Sequence, residues 1–185
     1  MEYREGLKLA LSEIDTALTA VDENEVYAFA ETLLKVNRVF AVGVGRAQLS
    51  LLAFVKRLNH MGVKATYVGA IDEPAIGPED MLLAGSGSGE TAFPVAIAGI
   101  AGKYGAKIAY IGSNAHSTLS SMADLRVFIP CQTKLRLSEE VRSIQPMGSL
   151  FEQCLYVFLD VVALLLIEKQ KIDMVSLWNA HANLE

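Results

Sequence analysis

A five-stranded parallel β-sheet with helices on both faces is the fold this sequence predicts, and three observations predict it. Short apolar runs, several rich in β-branched residues, alternate with stretches of helical periodicity. Five such runs occur, each short enough to be a strand buried on both sides. Glycine-rich segments close the first and third of them, "VGVG" at 42–45 and "GSGSG" at 85–89. Right-handed crossovers joining parallel strands then favour the order 2-1-3-4-5, a doubly wound, flavodoxin-like arrangement.

Residues 3–18 place Leu7, Leu11, Ile14 and Leu18 on one helical face. A second helix starts after Asp22 as N-cap and runs to about Lys35. "RVFAVGVG" (38–45) is the first strand, followed by a helix to about Met61. "KATYV" (64–68) is the second strand and "DMLLAGS" (80–86) the third. A helix from about Thr91 to Tyr104 follows, then strands "AKIAYIG" (106–112) and "LRVFIP" (125–130). The polar stretch 131–145 leads to a long helix after Pro146, and the chain ends in a short helix and tail. Neither a repeat nor a domain boundary is visible, so residues 1–185 read as one domain.

The charge is modest, 16 Lys+Arg against 21 Asp+Glu, and no basic stripe interleaved with aromatics appears, which argues against a nucleic-acid surface. Cys131 and Cys154 have no metal-ligand spacing and read as buried free thiols of a reducing compartment. The N-terminus carries acids throughout, unlike a secretory signal. "CLYVFLDVVALLLI" (154–167) is shorter than the roughly 20 residues of a membrane span and contains Asp160. It reads as a buried helix, and the expected location is the cytoplasm, with no membrane partner. Met81, Met122 and Met147 read as core or turn fillers.

In a 2-1-3-4-5 sheet the loops after strands 1 and 3 diverge and open a crevice, the usual ligand position. Those loops are "GVGRAQ" (43–48), with Gly43, Gly45 and Arg46, and "GSGSGET" (85–91). Gly87 and Gly89 let successive backbone N–H groups converge, and Ser86, Ser88 and Thr91 add hydroxyls. The helix that begins near Glu90 adds its positive end. No lysine follows as in a nucleotide P-loop, and there is no G-x-G-x-x-G. A phosphomonoester therefore suits the loop better than a nucleotide. The plainer alternative is a tight turn in which Ser88 caps a helix.

Five stretches then resemble the sugar isomerase (SIS) domain and, within it, the 6-phospho-3-hexuloisomerase family. They are "VGVGR" (42–46), "RLNHMG" (57–62), "GSGSGET" (85–91), "SIQPMGSLFEQ" (143–153) and "HANLE" (181–185). The resemblance implies a three-layer αβα sandwich, a sugar-phosphate ligand and a homotetramer. It also implies interconversion of D-arabino-hex-3-ulose 6-phosphate and fructose 6-phosphate, the second step of the ribulose monophosphate route for formaldehyde. By the same resemblance Ser86, Ser88 and Thr91 hold the phosphate, Glu152 matches the family's glutamate and His181 its C-terminal histidine. The first loop departs from the family's G-R-S-G, since Ala47 and Gln48 follow Arg46. Gln48 either protrudes into the crevice or turns away along its helix.

Moving a carbonyl between C3 and C2 takes a proton from one carbon and returns it to the other through a cis-enediol. One carboxylate over both carbons suffices, without metal or cofactor. His60, His116 and His181 have no metal-ligand spacing. Glu152 is the expected base, although "SLFE" (149–152) also matches a capping box with Ser149 as N-cap and Glu152 at N3. His181 is either a frayed terminal residue or an imidazole folded over a neighbouring subunit's crevice. His60 is either a helix-end cation or a residue reaching a subunit's ligand. His116 reads as a loop histidine capping nearby groups. Asp160 requires a hydrogen bond or a subunit contact if buried. The long helix is apolar around most of its circumference, which favours oligomerisation, and Trp178 is a candidate interface anchor. Two other readings stay open: a different SIS aldose–ketose isomerase, and a phosphosugar-binding protein without catalysis.

Overall fold

The computed structural model describes residues 1–184. Two helices, α1 (Tyr3–Thr19) and α2 (Glu23–Leu33), precede the sheet. Asp22 is the N-cap of α2, its carboxylate accepting the Asn24 N–H at 2.8 Å. Then come β1 (Val39–Val42), α3 (Gly45–His60), β2 (Ala65–Tyr67), β3 (Met81–Gly85), α4 (Ala92–Lys103) and β4 (Lys107–Gly112). The chain continues with α5 (Thr118–Met122), β5 (Leu125–Phe128), α6 (Ser149–Gln170) and a 3₁₀ turn at Ser176–Ala180.

All neighbouring strands are parallel, and their order is β2-β1-β3-β4-β5. In register, Val39 lies beside Met81, and Met81 beside Lys107. Alternation along each strand divides the core between the two faces. Val39, Ala41, Leu83 and Ile111 pack with α1, α2, α3 and α6. Phe40, Val42, Leu82 and Tyr110 pack with α4 and α5. The three-layer α/β architecture is as expected.

Two differences have local causes. α5 has only five residues, too short to show periodicity, and is started by Ser117, whose hydroxyl accepts the Ser120 N–H. α6 has 22 residues and, starting after Pro146 as expected, extends beyond the apolar stretch 154–167 at both ends, so by length and composition it could cross a membrane. Packing shows it as a core helix: 56% of its most apolar window is buried, with Leu155, Phe158 and Val162 inside. Its other side leaves Tyr156, Val157, Val161 and Leu164 exposed.

Both cysteines are buried free thiols. Contact with the Cys154 sulfur, then burial, pushes the Cys131 thiol far up. Met81 is fully buried, as a core filler should be. Met147 is 91% exposed with φ 53° and occupies a turn. Asp160 is only half-buried, so its carboxylate reaches water and burial does not demand a partner for it.

Candidate active site

Parallel strands send every strand-to-helix loop to one edge of the sheet, and the switch from β1 to β3 opens a crevice there. The first wall is the loop after β1. Gly43 is tightly enclosed: a Cβ there would lie 3.2 Å from both the Gln48 nitrogen and the Gly85 carbonyl. Gly45 opens α3 at φ 60°, a left-handed conformation that glycine adopts without penalty. Gln48 turns back along its helix, and its Oε1 accepts the Gly43 N–H at 2.6 Å. Ala47, not Gln48, therefore faces the crevice.

The loop after β3 forms the second wall. Ser86 is buried, and its Oγ lies 2.9 Å from Thr91 Oγ1. The same Ser86 oxygen accepts the Gly89 N–H at 3.2 Å, while Ser88 Oγ accepts from Glu90 N–H at 3.3 Å. Thr91, not Ser88, occupies the N-cap of α4. The loop is pinned from below. The Tyr110 hydroxyl donates to the Ser86 carbonyl at 3.1 Å, and burial raises its pKa to about 12. Gly89 sits at φ 66°, and a Cβ there would fall 2.0 Å from Ser117 Oγ. Glu90 points away and accepts from the Thr118 hydroxyl and N–H, each at 2.7 Å. Those two donors hold its carboxyl below the usual range.

The third wall is the start of α6. Gly148 is the N-cap, and the capping box between Ser149 and Glu152 that "SLFE" also allowed is not formed. The Glu152 backbone N–H bonds to the Gly148 carbonyl at 3.0 Å, and its carboxylate pairs with the Arg46 guanidinium across the crevice. Ser50 Oγ, donating to the Glu152 carbonyl at 2.9 Å, ties α3 to this turn. Preceding it, residues 143–145 are held by Glu13 of α1. The Glu13 carboxylate accepts from Ser143 Oγ (2.6 Å), Ile144 N–H (2.9 Å) and Gln145 Nε2 (3.0 Å). Burial alone would raise its pKa, but these three donors lower it.

Between these walls lies a cavity of about 520 Å³ lined by Ala47, Ser86, Gly87, Ser88, Thr91 and Glu152. Arg46 reaches it through Glu152. Sequence reasoning missed the remaining wall: Gln132, Thr133, Lys134 and Arg136, from the polar stretch after β5. The available signal was topological, since that stretch leaves the sheet at the same edge as the two glycine loops.

His60 and His181 are also together, but elsewhere. Their rings stack with centroids 5.6 Å apart, and Trp178 lies 5.2 Å from His181. His60 ends α3, whose 16 residues span about 24 Å at ~1.5 Å per residue. Within one chain the pair is therefore at the far end of that helix from Arg46. Trp178 is 70% exposed beside it. His116 lies in an exposed turn where its backbone N–H, not its ring, bonds to Asn114 Oδ1 at 3.0 Å.

Comparison with known proteins shows the family and the fold. The SIS domain family model matches residues 32–156. The 3-hexulose-6-phosphate isomerase of Bacillus subtilis is 35% identical over 185 residues, covering 100% of both chains. That of Mycobacterium gastri is 37% identical over 180 residues, covering 97% of this chain and 90% of its own. A Methanococcus jannaschii crystal structure, from which a molecular function of 3-hexulose-6-phosphate isomerase was inferred, superposes with TM-score 0.84 at 27% identity. It covers 98% of this chain and 99% of its own. The chain belongs to the SIS-domain family and, within it, groups with the proteins named 3-hexulose-6-phosphate isomerase.

Proposed function

We propose that this protein is a phosphosugar isomerase that interconverts D-arabino-hex-3-ulose 6-phosphate and fructose 6-phosphate. The observation that carries the proposal is a carboxylate, Glu152, held by Arg46 at a cavity whose other wall is a hydroxyl-rich anion loop. The names of the relatives support the choice of substrate.

In this reading the phosphate sits on Ser86, Ser88 and Thr91 and on the backbone of Gly87 and Gly89 at the start of α4. That anchors one end of the sugar. Gly43 and Gly45 shape the opposite wall so that C2 and C3 come beneath Glu152. The carboxylate removes the proton from C2 of the 3-hexulose. The electron pair forms the C2–C3 double bond, and the C3 carbonyl oxygen becomes an enediolate oxygen. A proton moves from the C2 hydroxyl to that oxygen, and Glu152 returns its proton to C3 as the C2 carbonyl forms. Arg46 stabilises negative charge first on Glu152 and then on the enediolate.

His60 and His181 complete the site from a second copy of the chain, where an imidazole carries the proton between the two oxygens. Self-association also covers the exposed Tyr156, Val157, Val161 and Leu164. The preferred assembly is a homotetramer of single-domain chains, measurable by light scattering, and the preferred location is the cytoplasm.

The test is fructose 6-phosphate in deuterium oxide, followed by NMR. Deuterium entering at C3, with appearance of the 3-hexulose, is the expected result. Entry at C1 identifies an aldose–ketose isomerase instead. Thermal stabilisation by the ligand with no exchange identifies a binding protein and refutes the catalytic reading.

A further inference from the structure

We infer that Lys134 and Arg136 are the cations that neutralise the bound phosphate and set the site's preference for a dianionic ester; this rests on the phosphate position proposed above. Both line the cavity that Ser86, Ser88 and Thr91 line. The Ser/Thr loop offers hydroxyls and N–H groups but no cation, and Arg46 is already paired with Glu152. A dianion on that loop thus has no full positive charge from the elements that sequence reasoning assigned to it. Lys134 and Arg136 are exposed, and among the described residues neither side chain forms an ion pair or hydrogen bond. No existing bond has to break for them to meet a phosphate.

The segment carrying them is built rather than loose. Cys131 and Val141 form a bridge at its base, where the Val141 N–H donates to the Pro130 carbonyl at 2.6 Å. Inside, the buried Glu140 accepts from Thr133 Oγ1 at 2.5 Å and from Leu137 N–H at 3.1 Å. Thr133 Oγ1 in turn accepts the Leu135 N–H at 3.1 Å, and its carbonyl accepts the Arg136 N–H at 3.2 Å. Arg136 is held at φ 51°, a conformation uncommon for a residue with a side chain. A second cavity of about 420 Å³ adjoins the first at Gln132 and Arg136 and is also lined by Arg142. Arg142 thus adds a further cation along this segment, beside the buried Glu140 that also lines the second cavity.

The experiment compares wild type with Lys134→Gln, Arg136→Gly and the double variant. Glycine keeps the left-handed backbone at 136. Two quantities are read: the Kd for inorganic phosphate by calorimetry, and kcat and KM on fructose 6-phosphate. Each single change is expected to raise Kd and KM roughly tenfold, as loss of a partly exposed charge-assisted hydrogen bond does. The double change raises them further, kcat stays within about threefold, and the salt dependence of phosphate binding weakens. If Arg136→Gly fails to fold, Lys134→Gln, at an exposed position, carries the test alone. Unchanged Kd and KM in the folded variants overturn the inference, as does a fall in kcat at constant KM. Phosphate binding that depends on these cations in a wild type unable to turn over fructose 6-phosphate supports the inference and refutes the catalytic reading. Turnover that survives the double change with unaltered KM does the reverse.

Discussion

Replacing Glu152 by glutamine separates two roles that a carboxylate at a helix start can have. If Glu152 served only as the N3 residue of a capping box, glutamine would fill the same place and both stability and kcat would change little. In the structure Gly148 is the N-cap, and the Glu152 side chain instead meets Arg46, an arginine whose side chain is 61% exposed. An ion pair with so exposed a partner contributes about 0.2–1 kcal/mol. For a chain of this size that corresponds to a fall in Tm of about 2–4 °C or less. Losing a general base is a larger matter: kcat should fall about 10²–10⁴-fold, equivalent to about 3–5 kcal/mol of barrier. A carboxamide keeps the shape of the carboxylate it replaces, so KM should change little. The assay pairs a thermal melt with steady-state kinetics on fructose 6-phosphate. A kcat within about tenfold of wild type refutes the role of base. So does a loss of activity matched by a fall in Tm well beyond about 4 °C, which would make the residue structural.

Gly89→Ala should collapse phosphate binding, because the new Cβ would lie 2.0 Å from Ser117 Oγ at a backbone φ of 66°; calorimetry with inorganic phosphate reads the loss. Glu13→Gln should destabilise the protein by about 1–2 kcal/mol near neutral pH, where the charged carboxylate accepts three hydrogen bonds. Because folding lowers the Glu13 pKa, its contribution is complete above the unfolded value of 4.5 and is lost as pH falls through the folded value. Urea melts should therefore show the gap between wild type and variant closing as the solution is acidified below that range. Cys131, buried with its thiol pKa pushed up, should resist alkylation in the folded protein and react only on unfolding; mass spectrometry checks it.

The sheet was legible because two simple patterns converge. Buried parallel strands show as short apolar runs, and glycines mark where β1 and β3 end. The hydroxyl loop was legible for the same reason, lying at the edge of the sheet that the topology dictates, whereas Glu152 was singled out only by the resemblance of "SIQPMGSLFEQ" to the family. The rest depended on packing. Nothing in "SLFE" distinguishes a capping glutamate from one that turns to Arg46, which is 106 residues away in the chain. The stacking of His60 on His181 joins a helix end to the C-terminal tail, a contact with no local signature. Gln48 could have entered the crevice, and only the hydrogen bond from Gly43 shows that it turns back. The 131–141 segment carries no periodicity, because it is organised by hydrogen bonds to the buried Glu140 rather than by an apolar face.

A crystal structure with fructose 6-phosphate bound tests the central claim most directly. The account predicts phosphate oxygens within about 3.2 Å of the Ser86, Ser88 and Thr91 hydroxyls. It also predicts the Glu152 carboxylate about 3–3.5 Å from both C2 and C3 of the sugar. A phosphate bound elsewhere, or a Glu152 carboxylate directed away from those carbons, would contradict it.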